Sequence, residues 1–430
     1  MRAASFLNKK LPILSFLFKN RPISSPVETV EFPLNVALRE LQKSCENESP
    51  ANLTISPFGI SVILHMIAHG AAGPTLDQLL HFLNVEKIED LDSKAPKLMQ
   101  IAKSSGNHGS NDGPVICNFN AVLANKKCTL KESHKEFLEN MYHAKVKYVD
   151  FSRGAAGVDE VNEWVIDETK GLIKPLLLRN AFDNKYLTLI HANGLYFKAT
   201  WENEFEPSNT RTEKFHLLGE KVDDPPVVEV PFMMKYGSTY AHASFDDYNV
   251  LRMPYKSGHG DRKSRRRFSM TIILPNEKGG LPKLADKMRQ NPHLLSCKHM
   301  LNMEYEMISI LQVPKFTFSY RFLPSETMKE LGLTLPFKDL EFDLTGMVEE
   351  MPLFVSRITQ HSQMECDEAG TKVLSVTYDS DEECGLGLDD SPSPPPINFI
   401  ADHPFMFVIK EDVSDTILFL GAINNPQLVG

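Results

Sequence analysis

The pattern of hydrophobic positions changes along the chain. Apolar residues recur every three or four positions in much of the first third, which predicts amphipathic helices at Phe32–Leu41, Ile60–Ala68, Leu76–Leu83 and Val158–Thr169. Further on, apolar residues alternate with polar ones or form short β-branched and aromatic runs, which predicts strands at Val146–Phe151, Leu187–Phe197, Val250–Met253, Phe268–Leu274, Phe316–Phe322 and Thr416–Ile423. Helices that precede most strands favour an α+β fold over repeating βαβ units.

One long segment lacks signals of helix or strand. A strand-like run ends near Gly370-Thr371, and the apolar pattern resumes only at Phe399. The intervening residues are rich in Asp, Glu and Gly, and they end in the proline run Pro394–Pro396. Loops of this length are uncommon in compact domains and are mostly functional, so we expect the function to reside here.

Several short motifs occur in a fixed order along the chain. They are Asn52–Ser61, Gly73–Leu79, His191–Trp201, Gly370-Thr371 and the block Ala401-Asp402-His403-Pro404-Phe405. In this order they resemble the motifs of the serpin family, and Gly171–Lys174, Leu331–Leu333 and Leu335–Phe337 resemble plant serpins of the serpin-Z type most. The resemblance runs from Glu31 to Pro426.

The resemblance implies a fold and a mode of action. We expect one serpin domain over residues 31–430, of the α+β class, with about nine helices, about three β-sheets and an exposed reactive-centre loop at residues 370–397. It implies a protease inhibitor, not an enzyme: a protease cleaves the loop, and the freed end inserts into a sheet as a new strand.

The hinge of that loop departs from the pattern of inhibitory serpins. It comprises Gly370, Thr371, Lys372, Val373 and Leu374, where inhibitors carry small residues, mostly Ala, after the Gly-Thr pair and an acidic residue in place of the lysine.

Alternation along a strand decides which loop residues would enter the core. With Thr371 facing inward, the inward set is Val373, Ser375, Thr377, Asp379 and Asp381. Overpacking costs about 1–3 kcal/mol per site, and an unpaired buried carboxylate costs several kcal/mol. The sequence therefore predicts a weakly inhibitory or non-inhibitory serpin. Two alternatives stay open: a working inhibitor of a chymotrypsin-like, Asp-preferring or cysteine protease, and a binding or carrier protein.

The scissile bond has two candidate positions. Counting back from Phe399 indicates Leu388-Asp389, whereas counting forward from Thr371 indicates Cys384-Gly385. The candidate region is therefore Cys384, Gly385, Leu386, Gly387, Leu388 and Asp389. No Arg or Lys occurs between Val373 and Ile409, which disfavours trypsin-like proteases.

The resemblance also implies a shutter region where the sheet opens. Its expected members are Ser56, Asn193, Gln360 and His361. Gln360 stands where the family pattern has a histidine, and His361 is displaced by one residue. A displacement of one residue on a strand turns a side chain to the opposite face.

Composition excludes several other classes of function. The net charge of −10 argues against general nucleic-acid binding. The chain shows no zincin, nucleophile-elbow, Walker or Cys-x-x-Cys motif, and its six cysteines are scattered as free thiols would be. We therefore expect no catalytic residues, no cofactor and no bound metal.

Two basic segments bear on partners and location. The first 27 residues contain no Asp or Glu, so residues 1–30 resemble an organelle transit peptide or a disordered extension, with a signal peptide less well matched. Arg262–Arg267 is a basic loop that suits a polyanion or an import factor, or forms a solvated hairpin tip. We expect a monomer in the cytoplasm or nucleus, outside the membrane, with an organelle or the extracellular space as alternatives through the extension.

Overall fold

The described part of the chain covers most of the expected domain. The computed structural model describes residues 32–47, 50–102, 113–173, 175–184, 186–218, 225–257, 266–296, 303–338, 343–348, 354–371 and 396–429. The N-terminal extension, the loop residues 372–395 and residues 262–265 of the basic segment lie outside the described residues. Predictions about those segments remain predictions.

Eight α-helices lie in the described part of the chain. They are α1 Phe32–Cys45, α2 Pro57–Gly70, α3 Gly73–Phe82, α4 Ile88–Ile101, α5 Glu132–Tyr142, α6 Ala155–Glu168, α7 Leu281–Gln290 and α8 Pro324–Glu330. The start of helix α2 is fixed by two residues. Pro57 occupies the first turn, and the Ser56 hydroxyl accepts a hydrogen bond from the Gly59 N–H at 2.9 Å.

The strands form two sheets. They are β1 Leu53–Ile55, β2 Val115–Asn125, β3 Lys145–Val149, β4 Leu189–Thr200, β5 Arg211–His216, β6 Val227–Ser244, β7 Tyr248–Pro254, β8 Phe268–Pro275, β9 Glu304–Pro314, β10 Phe316–Phe322, β11 Val355–Cys366, β12 Gly370–Thr371, β13 Ile397–Ile400, β14 Phe405–Glu411 and β15 Thr416–Ile423. One sheet has the order β1-β15-β14-β8-β7-β6-β9-β13, with β5 paired to β6; the other has the order β10-β11-β4-β2-β3, with β12 paired to β4.

The α+β class is confirmed, but the number of sheets differs from the expected three. Strand β6 is 18 residues long and pairs with β5, β7 and β9. Because one strand bridges all three neighbours, hydrogen bonds join two expected sheets into one of nine strands.

The six-stranded sheet separates two hydrophobic cores. Along β4, Leu195 and Phe197 are buried in the larger core, which also contains residues of α2. Ile190 and Tyr196 of the same strand belong to a smaller core that includes residues of α6. Odd-numbered residues of β4 therefore face the main core, and even-numbered ones face the side covered by α6.

None of the helices in the described ranges is both long enough and apolar enough to cross a membrane.

Candidate functional site

A tight turn connects β11 to the start of the long loop. The Asp367 carboxylate accepts hydrogen bonds from the N–H groups of Ala369 and Gly370 at 3.0 and 3.1 Å. Gly370 has φ of +152°, and a Cβ at this position would lie 2.1 Å from the Ala199 carbonyl oxygen. Only glycine fits, because the turn brings the two backbones into direct contact.

The residue after this turn is already part of the six-stranded sheet. Thr371 pairs with Ala199 of β4 in antiparallel register and is fully buried. Its hydroxyl lies 2.8 Å from the hydroxyl of Tyr255, whose ring stacks on Trp201 at 4.6 Å. Thr371 therefore lies inside the sheet and faces the main core.

An ion pair fixes the other side of the turn. The Lys315 ammonium lies 2.7 Å from the Glu368 carboxylate, and the Thr210 hydroxyl donates to the same side chain at 2.6 Å. The Trp201 indole N–H donates to the Asp367 carbonyl oxygen at 3.0 Å. These contacts hold the base of the loop at one end of the sheet.

Below Thr371, strands β4 and β11 pair directly with each other. Their parallel register runs from Val355 opposite Leu189 to Gln363 opposite Tyr196. Beyond that point β11 continues, whereas β4 pairs with β12 instead. A new strand that follows β12 downward would therefore have to separate β4 from β11.

A hydrogen-bonded cluster lies beneath this parallel pair. Gln360 of β11 accepts from the Ser56 N–H at 2.7 Å and donates to the Ser56 carbonyl oxygen at 2.9 Å. Its amide also lies 3.5 Å from the Asn193 oxygen, and the Asn193 amide donates to Asn118 and Asn120 at 2.8 Å. Three of the four residues expected in the shutter, Ser56, Asn193 and Gln360, are thus brought together.

His361 does not join this cluster. It is the next residue on β11, and alternation turns its side chain to the other face of the sheet. Neither ring nitrogen has a hydrogen-bond partner among the described residues. Burial, with a contribution from the charge of Arg321, lowers the pKa of His361 to about 4.

Sequence reasoning missed His191 as a site residue. It lies on β4, on the same face as Asn193, and its side chain is fully buried. Both ring nitrogens lack a hydrogen-bond partner in the described part of the chain. Burial, aided by the charge of nearby His134, lowers the pKa of His191 to about 3. The available signal was a lone histidine within an apolar strand.

Comparison with known proteins decides the family. The family model described as Serpin (serine protease inhibitor) matches residues 33–426. Serpin-Z3 of Arabidopsis thaliana is 35% identical over 414 residues, which cover 93% of this chain and 98% of that protein. The chain belongs to the serpin family. It is thus a protein of the protease-inhibitor class and not an enzyme.

Further relatives support a plant-type serpin. Serpin-Z7 of Hordeum vulgare is 35% identical over 391 residues, covering 90% of this chain and 93% of that one. The solved native stressed conformation of the Arabidopsis serpin AtSerpin1 matches with a TM-score of 0.79 and 30% identity, covering 94% of this chain and all of that one. The serpin fold is therefore confirmed.

Part of the predicted site lies outside the described residues. This includes the hinge residues Lys372, Val373 and Leu374 and the whole candidate scissile region from Cys384 to Asp389. In the basic segment of this serpin, Arg266 donates to the carbonyl oxygens of Gln100 and Ile101 at the end of α4. Arg266 is therefore engaged with a helix end, which leaves Arg262, Lys263, Arg265 and the exposed Arg267 as the carriers of the polyanion prediction.

Proposed function

We propose that this serpin is weakly inhibitory or non-inhibitory, and that proteases cleave its reactive-centre loop mainly as a substrate. The observation that supports the proposal is the placement of Thr371, buried opposite Ala199 and facing the main core. Because side chains alternate between the two faces of a strand, that placement decides which later loop residues would face the core in an added strand. Val373, Asp379 and Asp381 then belong to the inward set.

The inward residues would meet a filled core. Antiparallel continuation places Val373 opposite Phe197, which is only 2% exposed. An inserted strand with bulky inward groups costs about 1–3 kcal/mol per overpacked site. An inward carboxylate without a partner costs several kcal/mol more. These penalties slow insertion.

Slow insertion decides the outcome of an encounter with a protease. Trapping needs the strand to insert before water completes hydrolysis of the acyl-enzyme, so inhibition is a competition between two rates. Each 1.36 kcal/mol added to the insertion barrier slows insertion about tenfold. A loop that carries several such penalties is hydrolysed and released as a cleaved product.

One feature favours the alternative of a working inhibitor. Gly370 and Thr371 already pair with β4, so the first step of strand addition is present before cleavage. In this alternative, the target is a chymotrypsin-like, Asp-preferring or cysteine protease, because the candidate scissile region offers Leu386, Leu388 and Asp389 but no basic residue.

A different feature favours the carrier alternative. A cavity of about 490 Å³ lies between α1, α2, α4 and the start of β15. Slightly more than half of its lining residues are apolar, and the polar ones include Lys94, Lys97, His65 and Asp415. Small-molecule sites combine apolar walls with polar groups that fix the orientation of the ligand. Retained ligand binding after loop cleavage, with no gain in stability, would favour this alternative.

Incubation with proteases tests the proposal. We expect chymotrypsin to cut the loop, with mass spectrometry locating a bond within Cys384–Asp389, while denaturing gels show at most traces of a covalent complex. An Asp-preferring protease and a cysteine protease are assayed in parallel. A stable complex formed at about one serpin molecule per protease molecule would contradict the proposal and favour the working inhibitor.

A further inference from the structure

One face of helix α2 forms a wall of the cavity between α1, α2 and α4. Phe58, Ser61 and His65 line this cavity of about 490 Å³. Because these residues are spaced three and four positions apart, they lie on the same side of the helix. Phe58 is only 1% exposed. Helix α2 therefore contributes a buried aromatic ring, a hydroxyl and an imidazole to this wall.

Helix α4 forms a second wall with a similar spacing. Its lining residues are Leu91, Lys94, Lys97, Leu98 and Ile101. Leu91 and Ile101 are buried, whereas both lysine side chains are exposed. The apolar part of this wall therefore lies inside the protein, and the two ammonium groups lie where the cavity meets solvent.

The remaining walls come from three separate parts of the chain. They are the first turn of α1, residues 292–296 and the hairpin turn that precedes β15. The hairpin turn contributes Asp415, whose carboxylate forms an ion pair with the buried ammonium of Lys410. Among the described lining residues, two lysines thus face one aspartate that is already paired, so the cavity carries an excess of positive charge.

The imidazole of His65 adds a hydrogen-bonding group to the cavity. Its side chain is largely buried, and Nδ1 has no hydrogen-bond partner among the residues that the structure describes. Buried polar atoms are nearly always paired, so an unpaired one on a cavity wall points to a missing partner. Burial, together with the charge of Lys94, lowers the pKa of His65 to about 4. The ring is therefore neutral at pH 7 and has one N–H to donate.

We propose that this cavity binds a small organic anion with an apolar body, such as an aromatic sulfonate or carboxylate. The apolar walls accept the body of the ligand, and Lys94 and Lys97 attract its charge. The His65 N–H donates a hydrogen bond to the anionic group, and hydrogen bonds to ionised acceptors are stronger than those between neutral groups. A cation is disfavoured, because the ammonium groups repel it.

This proposal goes beyond weak inhibition and names a ligand class for the carrier alternative. The described lining contains no residue of the hinge. Binding can therefore be measured on the uncut full-length chain without a protease. Failure of the binding test leaves the weakly inhibitory proposal standing, and a stable protease complex leaves the ligand proposal standing.

Two fluorescent probes with the same aromatic body test the charge preference. Anilinonaphthalene sulfonate carries an anionic group, and anilinonaphthalene lacks it. Fluorescence titration of the full-length chain at pH 7 and low ionic strength measures both dissociation constants. We expect saturable binding of the sulfonate with one-to-one stoichiometry, at least about tenfold tighter than that of the neutral probe. Added salt should weaken only the sulfonate, because salt screens the exposed lysines.

Matched lysine variants assign that preference to the cavity. Lys94→Gln combined with Lys97→Gln should weaken sulfonate binding about tenfold and leave the neutral probe unchanged. The control combines Lys126→Gln with Lys127→Gln, which removes two exposed lysines outside the lining. This control should leave both dissociation constants unchanged.

Two further variants test the walls. His65→Leu should weaken the sulfonate several-fold and spare the neutral probe, because it removes the donor and keeps an apolar surface. Leu98→Trp fills the cavity and should abolish binding of both probes. The melting temperature of each variant shows whether its fold is intact.

Four results would overturn the proposal. They are no saturable sulfonate binding to the parent chain, equal affinity for the two probes, equal effects of the two lysine pairs, and unchanged sulfonate binding in a folded Leu98→Trp variant. If Leu98→Trp fails to fold, the comparison of the lysine pairs decides the outcome.

Discussion

Replacement of five loop residues by alanine should convert this serpin into an effective inhibitor of chymotrypsin. The variant changes Val373, Leu374, Val376, Asp379 and Asp381, and leaves the described part of the chain untouched. It removes the two inward carboxylates and the bulk near the hinge, which together oppose insertion by several kcal/mol. The number of serpin molecules consumed per inactivated protease should fall at least about tenfold.

The control for this variant changes loop residues that would point away from the main core. Glu382→Ala and Ser380→Ala alter the outward face of the same segment, because alternation places even-numbered loop residues away from the main core. These substitutions should leave the consumption of serpin per protease nearly unchanged. A five-residue variant that remains a substrate would show that something other than these five side chains blocks insertion.

Acidification from pH 7 to pH 5 should destabilise the uncleaved protein by several kcal/mol. Burial is the main cause that lowers the pKa of His65, His134 and His361 to about 4, and that of His191 to about 3. In the unfolded chain these groups titrate near pH 6.5, so between pH 6.5 and pH 4 the unfolded state binds more protons. Stability therefore falls as the pH falls through this range.

The size of the effect follows from the number of groups. One unit of pKa difference corresponds to about 1.36 kcal/mol, and four histidines contribute in the same direction. Calorimetric melting at a fixed scan rate, at pH 7 and pH 5, measures the effect. His191→Leu removes one of the four groups and should flatten the pH dependence by about a quarter. A melting temperature that does not change between these pH values would contradict the assignment of these histidines as neutral buried groups.

Much of the fold could be predicted from the sequence. Hydrophobic periodicity predicted individual helices and strands, and the order of the motifs predicted the fold that joins them. The predicted helix at Ile60–Ala68 lies within α2, and the one at Val158–Thr169 coincides with α6 except for Thr169, which caps its C-terminal end. The predicted strand Val146–Phe151 is shorter, since the Asp150 carboxylate accepts from the Ser152 N–H at 3.1 Å and turns the chain before Phe151. Periodicity gave no prediction for α4, which contains Pro96 in its interior.

The candidate site was only partly accessible to sequence reasoning. Alternation predicted which loop residues would face the core, and the motifs predicted the hinge and the shutter residues. The unpartnered state of His191 could not be foreseen, because it depends on Ile358 of β11 lying opposite it, 167 positions away in the sequence. The joining of two sheets through β6 likewise depends on pairing between strands that are distant in the sequence. Within β6, Gly237 has φ of +58° and interrupts the alternation of side chains that would mark one long strand.

The melting temperature of the parent chain before and after one cut within Cys384–Asp389 tests the central claim most directly. The five-residue alanine variant serves as the control that shows what successful insertion looks like. The weakly inhibitory account predicts a large rise after cleavage in the variant and little or no rise in the parent chain. A large rise in the parent chain would mean that the loop inserts despite Asp379 and Asp381, and it would contradict the account.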